Sequence, residues 1–564
     1  MSSPAFPPRP SPIPATSASD VDEALERLVA AKSRWLTVSI RERIVMLQAI
    51  RHALWAVAPA WVAAAGQAKG FDDGGYLAGE EWLAAPMATA RNARTLEDAL
   101  RAGGQPRLKR REAHGRTVFD VMPAGLLDRA LFTGWRSEVW VEPGKPASLG
   151  RIYREQHPGP GKVALVLAAG NVASIGPMDA LYKLFVEDEV VVMKMNPVND
   201  YAGPFIRQAF KILVDGGFFE IVYGGAETGA YLTAHGAVDN VHITGSDVTH
   251  DAIVWGPDRS QHAARKASGQ RWCDKPITSE LGCVTPILVV PDAWTDADLD
   301  YQARNIVSMA QHNASFDCIS GKLLVLPAGW ARKDALIDRV AFHMAAMTPR
   351  RAYYPGAQAR YQALLDQYPQ ARPFSERSDE VVPFTLIPDV PARPGEYALV
   401  TEPFCGVLSM TEVPGDDAPS YLANAVPFLN DHVWGTLSAM LLVSSPTQRA
   451  HGDVIEGAIR DLRYGSIAVN AWSGAAYGLA ELPWGAAPGH TVASVGSGIG
   501  VVHNASLIDH PEKTVLRLPF RVFPTPPWFY DHKNLFETGR RLTRLETHGG
   551  SGAVLSLAAA ALRG

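Results

Sequence analysis

Cysteine is scarce in this chain, with four residues in 564. Cys273, Cys283, Cys318 and Cys405 lack the paired spacing of metal ligands and the density of a disulfide scaffold. They read as reduced thiols, and no metal is expected. An excess of charge of one sign is missing too: 53 basic and 58 acidic side chains leave a net of -5. The only basic cluster is the short KRRE at Lys109, so nucleic acid is not an expected partner. No apolar run reaches the ~18 uninterrupted residues of a membrane-spanning helix. The most apolar stretch, KVALVLAAGNVASIGPMDALYKLF, is broken by Asn171, Pro177 and Asp179. No membrane association is expected, and a cytoplasmic location is the default. Also absent are a G-x-G-x-x-G fingerprint for dinucleotides and any repeat of fixed period. Residues 1–20 hold six prolines and no apolar core, which predicts a disordered lead rather than a signal peptide.

What is present belongs to a soluble globular protein, with 47% hydrophobic and 20% charged residues, long enough for about three to four structural units. From Val21 to Ala56 apolar residues recur every three or four positions, the helical period. Beyond Lys162 the pattern changes. Short apolar runs (KVALVLAA, EDEVVVMKMN, FEIVYGG, DNVHITGS) alternate with helical segments, which predicts a parallel sheet with helices on both faces. Such sheets bind ligands at the carboxyl ends of their strands. A second set (TPILVV, KLLVLP, HVWGTLSAMLLV, YGSIAVN) predicts a second α/β unit. Pro143 to His157 reads as an extended arm, and EKTVLRLPFRVF as a late strand.

Cys318 falls between a helical pattern and an apolar run, on a connecting loop where reactive groups are displayed. The local sequence leaves open both a small buried thiol and a nucleophile. Other stretches bear on the choice. N-A-S-F-D-C, with Asn313 five residues ahead of the cysteine, resembles the N-x-G-Q-x-C motif of the aldehyde dehydrogenase superfamily. VLAAGNVASI resembles its asparagine loop, with Asn171 in the critical place, and VVVMKMNP its V-x-K-P segment. VYGGAETGAYLTAHGAVDNVHITGS, SELGCVTPILVV, EPFCGVLSM and LPWGAAPGH follow in the family's order. The resemblance runs from Val21 to about Phe520.

That resemblance implies an α/β chain with two Rossmann-like domains built on parallel sheets, plus a small β oligomerisation arm. The implied division is a cofactor-binding domain over 21–142 and 163–282, a catalytic domain over 283–485, an arm over 143–162 and 505–525, and a C-terminal extension over 526–564. It implies oxidation of an aldehyde to its acid with NAD or NADP. The Cys318 thiolate attacks the carbonyl, Asn171 and the Cys318 backbone N–H hold the oxyanion, and Glu280 activates water to release the acid. Lys194 and Glu402 would hold the two riboses, Gly225 and Gly229 the adenine side, Ser246 the pyrophosphate, and Phe404 the nicotinamide. Asn196, Thr244, Gly245 and Leu281 lie in the same cofactor motifs. Assembly as a homodimer or homotetramer is expected by family habit.

The chain departs from the family pattern at Ser315, Phe316 and Asp317, in a longer 247–279 segment, and at Pro197, where an acid often favours NAD. Pro197 leaves NADP open. Alternative readings are a CoA-acylating dehydrogenase, against which Glu280 speaks, a cofactor-free cysteine acyl hydrolase using a residue such as His312, and a non-enzymatic binding protein. The last predicts loss of Cys318, Asn171 or Glu280, and all three are present.

Overall fold

The structure, a computed structural model, describes residues 13–72, 74–155 and 159–564. Most of the lead expected over 1–20 therefore lies outside the described residues. From Thr16 the chain is tied down: Thr16 exchanges hydrogen bonds with Tyr223, and Ser17 caps the helix Ala18–Trp35.

Two sheets carry the molecule. The smaller has the order Gly498–Ile499, Ile277–Leu281, Asn240–Gly245, Val163–Leu167, Val190–Lys194, Phe219–Val222. Its last five strands are mutually parallel. Their side chains are buried almost without interruption, as strands covered on both faces require. In chain order these five strands run 5-4-1-2-3, so the direction of winding reverses between Val163–Leu167 and Asn240–Gly245. A crevice opens at the carboxyl ends there.

The larger sheet has eleven strands, with a parallel centre of Pro286–Val289, Leu323–Pro327, Val407–Val413, Ser438–Leu442 and Ser466–Val469. Pro511–Arg517 joins Ser466–Val469 in parallel, and Arg136–Val141, Arg116–Met122 and Lys109–Ala113 continue antiparallel to the edge. The stretch read as an extended arm contains instead a single 3-10 turn, Arg151–Tyr153, and a bridge from Leu149 to Ile508. Gly150, at φ 58°, reverses the chain in the left-handed region and ends any strand. Residues 156–158 of that stretch lie outside the described residues.

Helices deliver side chains to the gap between the sheets. Ile40–Lys69 starts at a Ser39/Glu42 capping box and stops at Gly70, in the left-handed conformation at φ 77°. This stop fixes where Lys69 ends. Further on, Tyr76–Trp82 passes into a π-turn, Leu83–Met87, containing Pro86, and then into Ala88–Arg101. Proline withdraws one helix hydrogen bond, and π-turns recur at functional sites. After Arg517 the chain returns as two helices, Leu535–His548 and Ser551–Ala561. Glu546, buried on the first of them, accepts from Arg91 at 2.8 Å and Arg94 at 2.6 Å. Among the described residues no helix is long and apolar enough to cross a membrane.

Candidate active site

Cys318 sits on the loop between the helix Asp296–Gln311 and the strand Leu323–Pro327. The loop is unusual in its backbone: Asn313, Ala314 and Ser315 all have φ between 51° and 64°. Three successive non-glycine residues in the left-handed region are costly and persist only where surroundings fix them. The fixing groups are polar. The Tyr353 hydroxyl donates to Asn313 Oδ1 at 2.9 Å and to the Asn171 carbonyl at 3.0 Å. Asn313 Nδ2 donates to Asp317 Oδ1 at 3.0 Å, and His312 Nδ1 lies 3.2 Å from Asp317 Oδ2. Lys69 pairs with Glu81 at 2.8 Å and reaches Asn313 Oδ1 at 3.4 Å. Burial would raise the Glu80 carboxyl, but the bidentate Arg350 guanidinium beside it holds it down to about 2.

The Cys318 backbone N–H donates to no acceptor among the described residues. It is thus free for an oxyanion. Asn171, buried on the loop after Val163–Leu167, donates through Nδ2 to the Phe316 carbonyl at 2.9 Å. That bond uses one of its two amide hydrogens and orients the other.

Glu280 is the penultimate residue of the strand Ile277–Leu281 and is 4% exposed. Burial pushes its carboxyl up to about 8, opposed by hydrogen bonds from the Trp484 indole N–H, at 3.2 Å, and from the Cys318 thiol. Burial also pushes the Cys318 thiol well above its usual range, and the Glu280, Glu402 and Asp317 carboxylates add to this while Lys322 opposes it. The thiol itself lines the cavity.

The crevice carries the residues assigned to a cofactor. Lys194, at the end of Val190–Lys194, has no anionic partner among the described residues, and burial alone lowers its ammonium to about 8. An uncompensated, half-buried cation at a strand end suits a polyhydroxyl or phosphate ligand. Asn196 Oδ1 accepts from Val198 N, closing the turn after Lys194. Gly225 precedes the helix Ala226–Ala234, which has no side-chain cap, so its first amides remain open, and Gly229 faces Leu167. Gly245 is exposed, and Ser246 caps the helix Asp247–Trp255 by accepting from Thr249. Thr244 points inward instead, donating to buried Asp179 at 2.9 Å, and Leu281 is fully buried. Those two support the crevice from behind. Glu402 pairs with Lys322 at 3.0 Å, and a methyl group at Gly282 would occupy the space of its carboxylate. Phe404 packs against Tyr354, with ring centroids 4.9 Å apart.

Beyond Cys318 lies a cavity of about 210 Å3. Its apolar wall includes Met87 of the π-turn, Ile175, Trp472, Tyr477, and Trp528 and Leu542 from the C-terminal extension. Sequence reasoning found neither this wall nor Lys69, Lys322, Tyr353 and Trp484. Their contributing segments are hundreds of residues apart, and of these residues only Trp484 in LPWGAAPGH, Ile175 in VLAAGNVASI and Lys322 in KLLVLP stood in a quoted stretch.

Cys318, Glu280 and Asn171 together supply a thiol, a carboxyl and an amide donor, the groups that nucleophilic catalysis uses. Residues 161–358 match the model of the aldehyde dehydrogenase family. The NADP-dependent glyceraldehyde-3-phosphate dehydrogenase of Bacillus halodurans, solved with NADP, is similar at 19% identity and TM-score 0.61, over 90% of this chain and 93% of that one. A variant of aldehyde dehydrogenase C from Pseudomonas syringae, solved with NAD+ and octanal, is similar at 17% and 0.59, over 91% of each chain. A salicylaldehyde dehydrogenase from Pseudomonas putida, solved with salicylaldehyde, is similar at 16% and 0.61, over 91% and 93%. The family model matches residues 161–358, and over the chain as a whole the similarity to these solved structures is one of fold.

Proposed function

We propose that the protein oxidises an apolar aldehyde to its carboxylic acid with NAD or NADP, through a thioester on Cys318. The observation that carries this reading is that Cys318, with its backbone N–H free, lines the cavity beside Asn171, whose amide is held to the Phe316 carbonyl at 2.9 Å, while Glu280 is buried nearby under the Trp484 indole. In the crevice Lys194, Gly225, Ser246 and Glu402 would hold the cofactor, which when bound supplies the hydride acceptor.

Attack of the Cys318 sulfur on the carbonyl carbon forms a C–S bond and moves the carbonyl electron pair onto oxygen. The free Cys318 N–H and the second Asn171 amide hydrogen are the donors for that oxygen, each such donor typically worth about 100-fold or more. Once oxidation has left an acyl group on sulfur, Glu280 takes a proton from water, whose oxygen displaces the thiolate. A carboxyl raised to about 8 holds a proton at neutral pH in the resting protein, and the fraction available as a base grows as pH rises.

Apolar lining favours an aliphatic or aromatic tail over a charged one. Water as acyl acceptor is favoured over coenzyme A by the presence of Glu280 beside the thiol. A homodimer or homotetramer and a cytoplasmic setting are part of the same proposal, as is an assembly role for the 143–162 and 505–525 segments. Aldehyde-dependent growth of NAD(P)H absorbance, screened over aliphatic, aromatic and phosphorylated aldehydes, tests the reading. Turnover of apolar aldehydes that Cys318→Ser abolishes is expected, whereas turnover surviving that substitution removes Cys318 as nucleophile.

A further inference from the structure

The cavity beyond Cys318 has a polar side opposite in character to its apolar wall. Lys69, Glu80, Glu81, His312, Asp317 and Arg350 all line it. Lys69 pairs with Glu81 at 2.8 Å, and Arg350 reaches both oxygens of Glu80 at 2.8 Å each. Asp317 takes Asn313 Nδ2 at 3.0 Å and lies 3.2 Å from His312 Nδ1. Both cations thus already hold a carboxylate, and each carboxylate already faces a donor. A substituent that meets this side is best matched if it is polar and neutral.

His312 is the group placed to meet it. Its ring lies against Trp472, with centroids 4.3 Å apart, and its side chain is 11% exposed. A carboxylate only accepts, so the hydrogen-bond network assigns a hydrogen to Nδ1, facing Asp317. The other nitrogen, Nε2, makes no hydrogen bond among the described residues and stands 3.9 Å from Glu80 Oε1, too far for one. A neutral ring offers Nε2 as an acceptor, and a protonated ring offers it as a donor. A hydroxyl donates and accepts, so it fits either state. An ether only accepts, and a methyl group does neither.

We propose that His312 Nε2 is the binding site for a hydroxyl on the tail of the substrate, so that the substrate class is apolar aldehydes carrying a hydroxyl. Trp472, Tyr477 and Trp528 flank the cavity with flat faces, and these favour an aromatic tail. Asp317 fixes which nitrogen is presented, and Trp472 fixes the plane of the ring. This rests on the cavity being the aldehyde site, as read under the proposed function.

The test is the binding of benzamides that carry a hydroxyl or, at the same ring position, a methyl group, read by quenching of tryptophan fluorescence. A benzamide is not oxidised, so binding alone is measured, and the two substituents are close in size. At the ortho, meta or para position the hydroxyl compound should bind about tenfold tighter than its methyl counterpart, or better. His312→Phe keeps a flat ring against Trp472 and should remove that preference. The ratio within each pair cancels any loosening of the loop, which both ligands share. The matching hydroxybenzaldehyde should show the same His312-dependent gain in kcat/KM over the methylbenzaldehyde. No preference at any ring position, or a preference that His312→Phe leaves intact, overturns the proposal. Should the variant not fold, the wild type decides: tighter binding of a hydroxyl compound supports the site, and equal or weaker binding at every position overturns it. Binding through His312 without oxidation of any aldehyde would sink the proposed function and leave the hydroxyl site, whereas oxidation of aldehydes with no hydroxyl preference sinks the hydroxyl site alone.

Discussion

The crevice and the cavity that meet at Cys318 are built on opposite plans. Most crevice positions are set by backbone, at strand ends, glycines and helix starts between Val163 and Leu281, with Glu402 and Phe404 reaching in from a later loop. Cavity positions are set by side chains from remote segments, among them Met87, Ile175, Trp472 and Leu542. A backbone plan tolerates divergence, and the fold that builds the crevice is shared at 16–19% identity. A side-chain plan changes with each substitution, and under the proposed function it would set which aldehyde enters.

Glu280 stands at the boundary, and its loss should have the largest effect. Glu280→Gln should release about one equivalent of NAD(P)H per site in a burst while steady-state turnover falls 100-fold or more, since only the water step needs the base. Undiminished turnover would take Glu280 out of the mechanism. The same group sets a pH dependence. Its carboxyl is raised by burial from an ordinary 4.5 to about 8, so the folded protein holds a proton that the unfolded chain releases. The stability from that proton is full below about pH 4.5 and is lost as pH rises through 8. Glu280→Gln should therefore melt higher than wild type at pH 9, by on the order of 3 kcal/mol, and the gap should close towards pH 5. A constant difference across pH would contradict the assignment.

A cavity prediction comes next in size. Trp528 lines the apolar wall and its indole N–H donates to Asn305 at 2.9 Å. Trp528→Ala should raise KM for bulky apolar aldehydes about tenfold and leave KM for NAD+ unchanged. Equal changes in both would break the division between the two regions. On the crevice side, Pro197→Glu should lower the ratio of NADP to NAD use severalfold, because a carboxylate placed near Lys194 repels a 2′-phosphate. An unchanged ratio would mean that residue 197 does not face that position.

What could be read from the sequence follows the same division. Apolar runs and their glycine stops marked the parallel strands Val163–Leu167, Val190–Lys194 and Asn240–Gly245, because strands buried on both faces cannot be polar. The motif order brought Cys318, Asn171 and Glu280 into view together. Lys322 was hidden because it reads as the polar start of the run LLVL, and nothing local tells that its ammonium turns inward to Glu402. The hairpin strands Lys109–Ala113 and Arg116–Met122 were hidden by their charge, which sits at a sheet edge where charge is favoured. The contribution of Trp528 and Leu542 to the cavity depends on how the last helices fold back onto Arg91 and Arg94, a contact spanning more than four hundred residues.

The most direct measurement is the mass of the Cys318 peptide after Glu280→Gln protein is mixed with NAD+ and a reactive apolar aldehyde, then quenched in acid. The account predicts an acyl group on Cys318 in place of the thiol hydrogen, a mass gain of the aldehyde less two hydrogens, in close to one copy per chain and only when both reagents are present. Unmodified Cys318 in a protein that still forms NADH, or the acyl group on Cys273, Cys283 or Cys405, would contradict it.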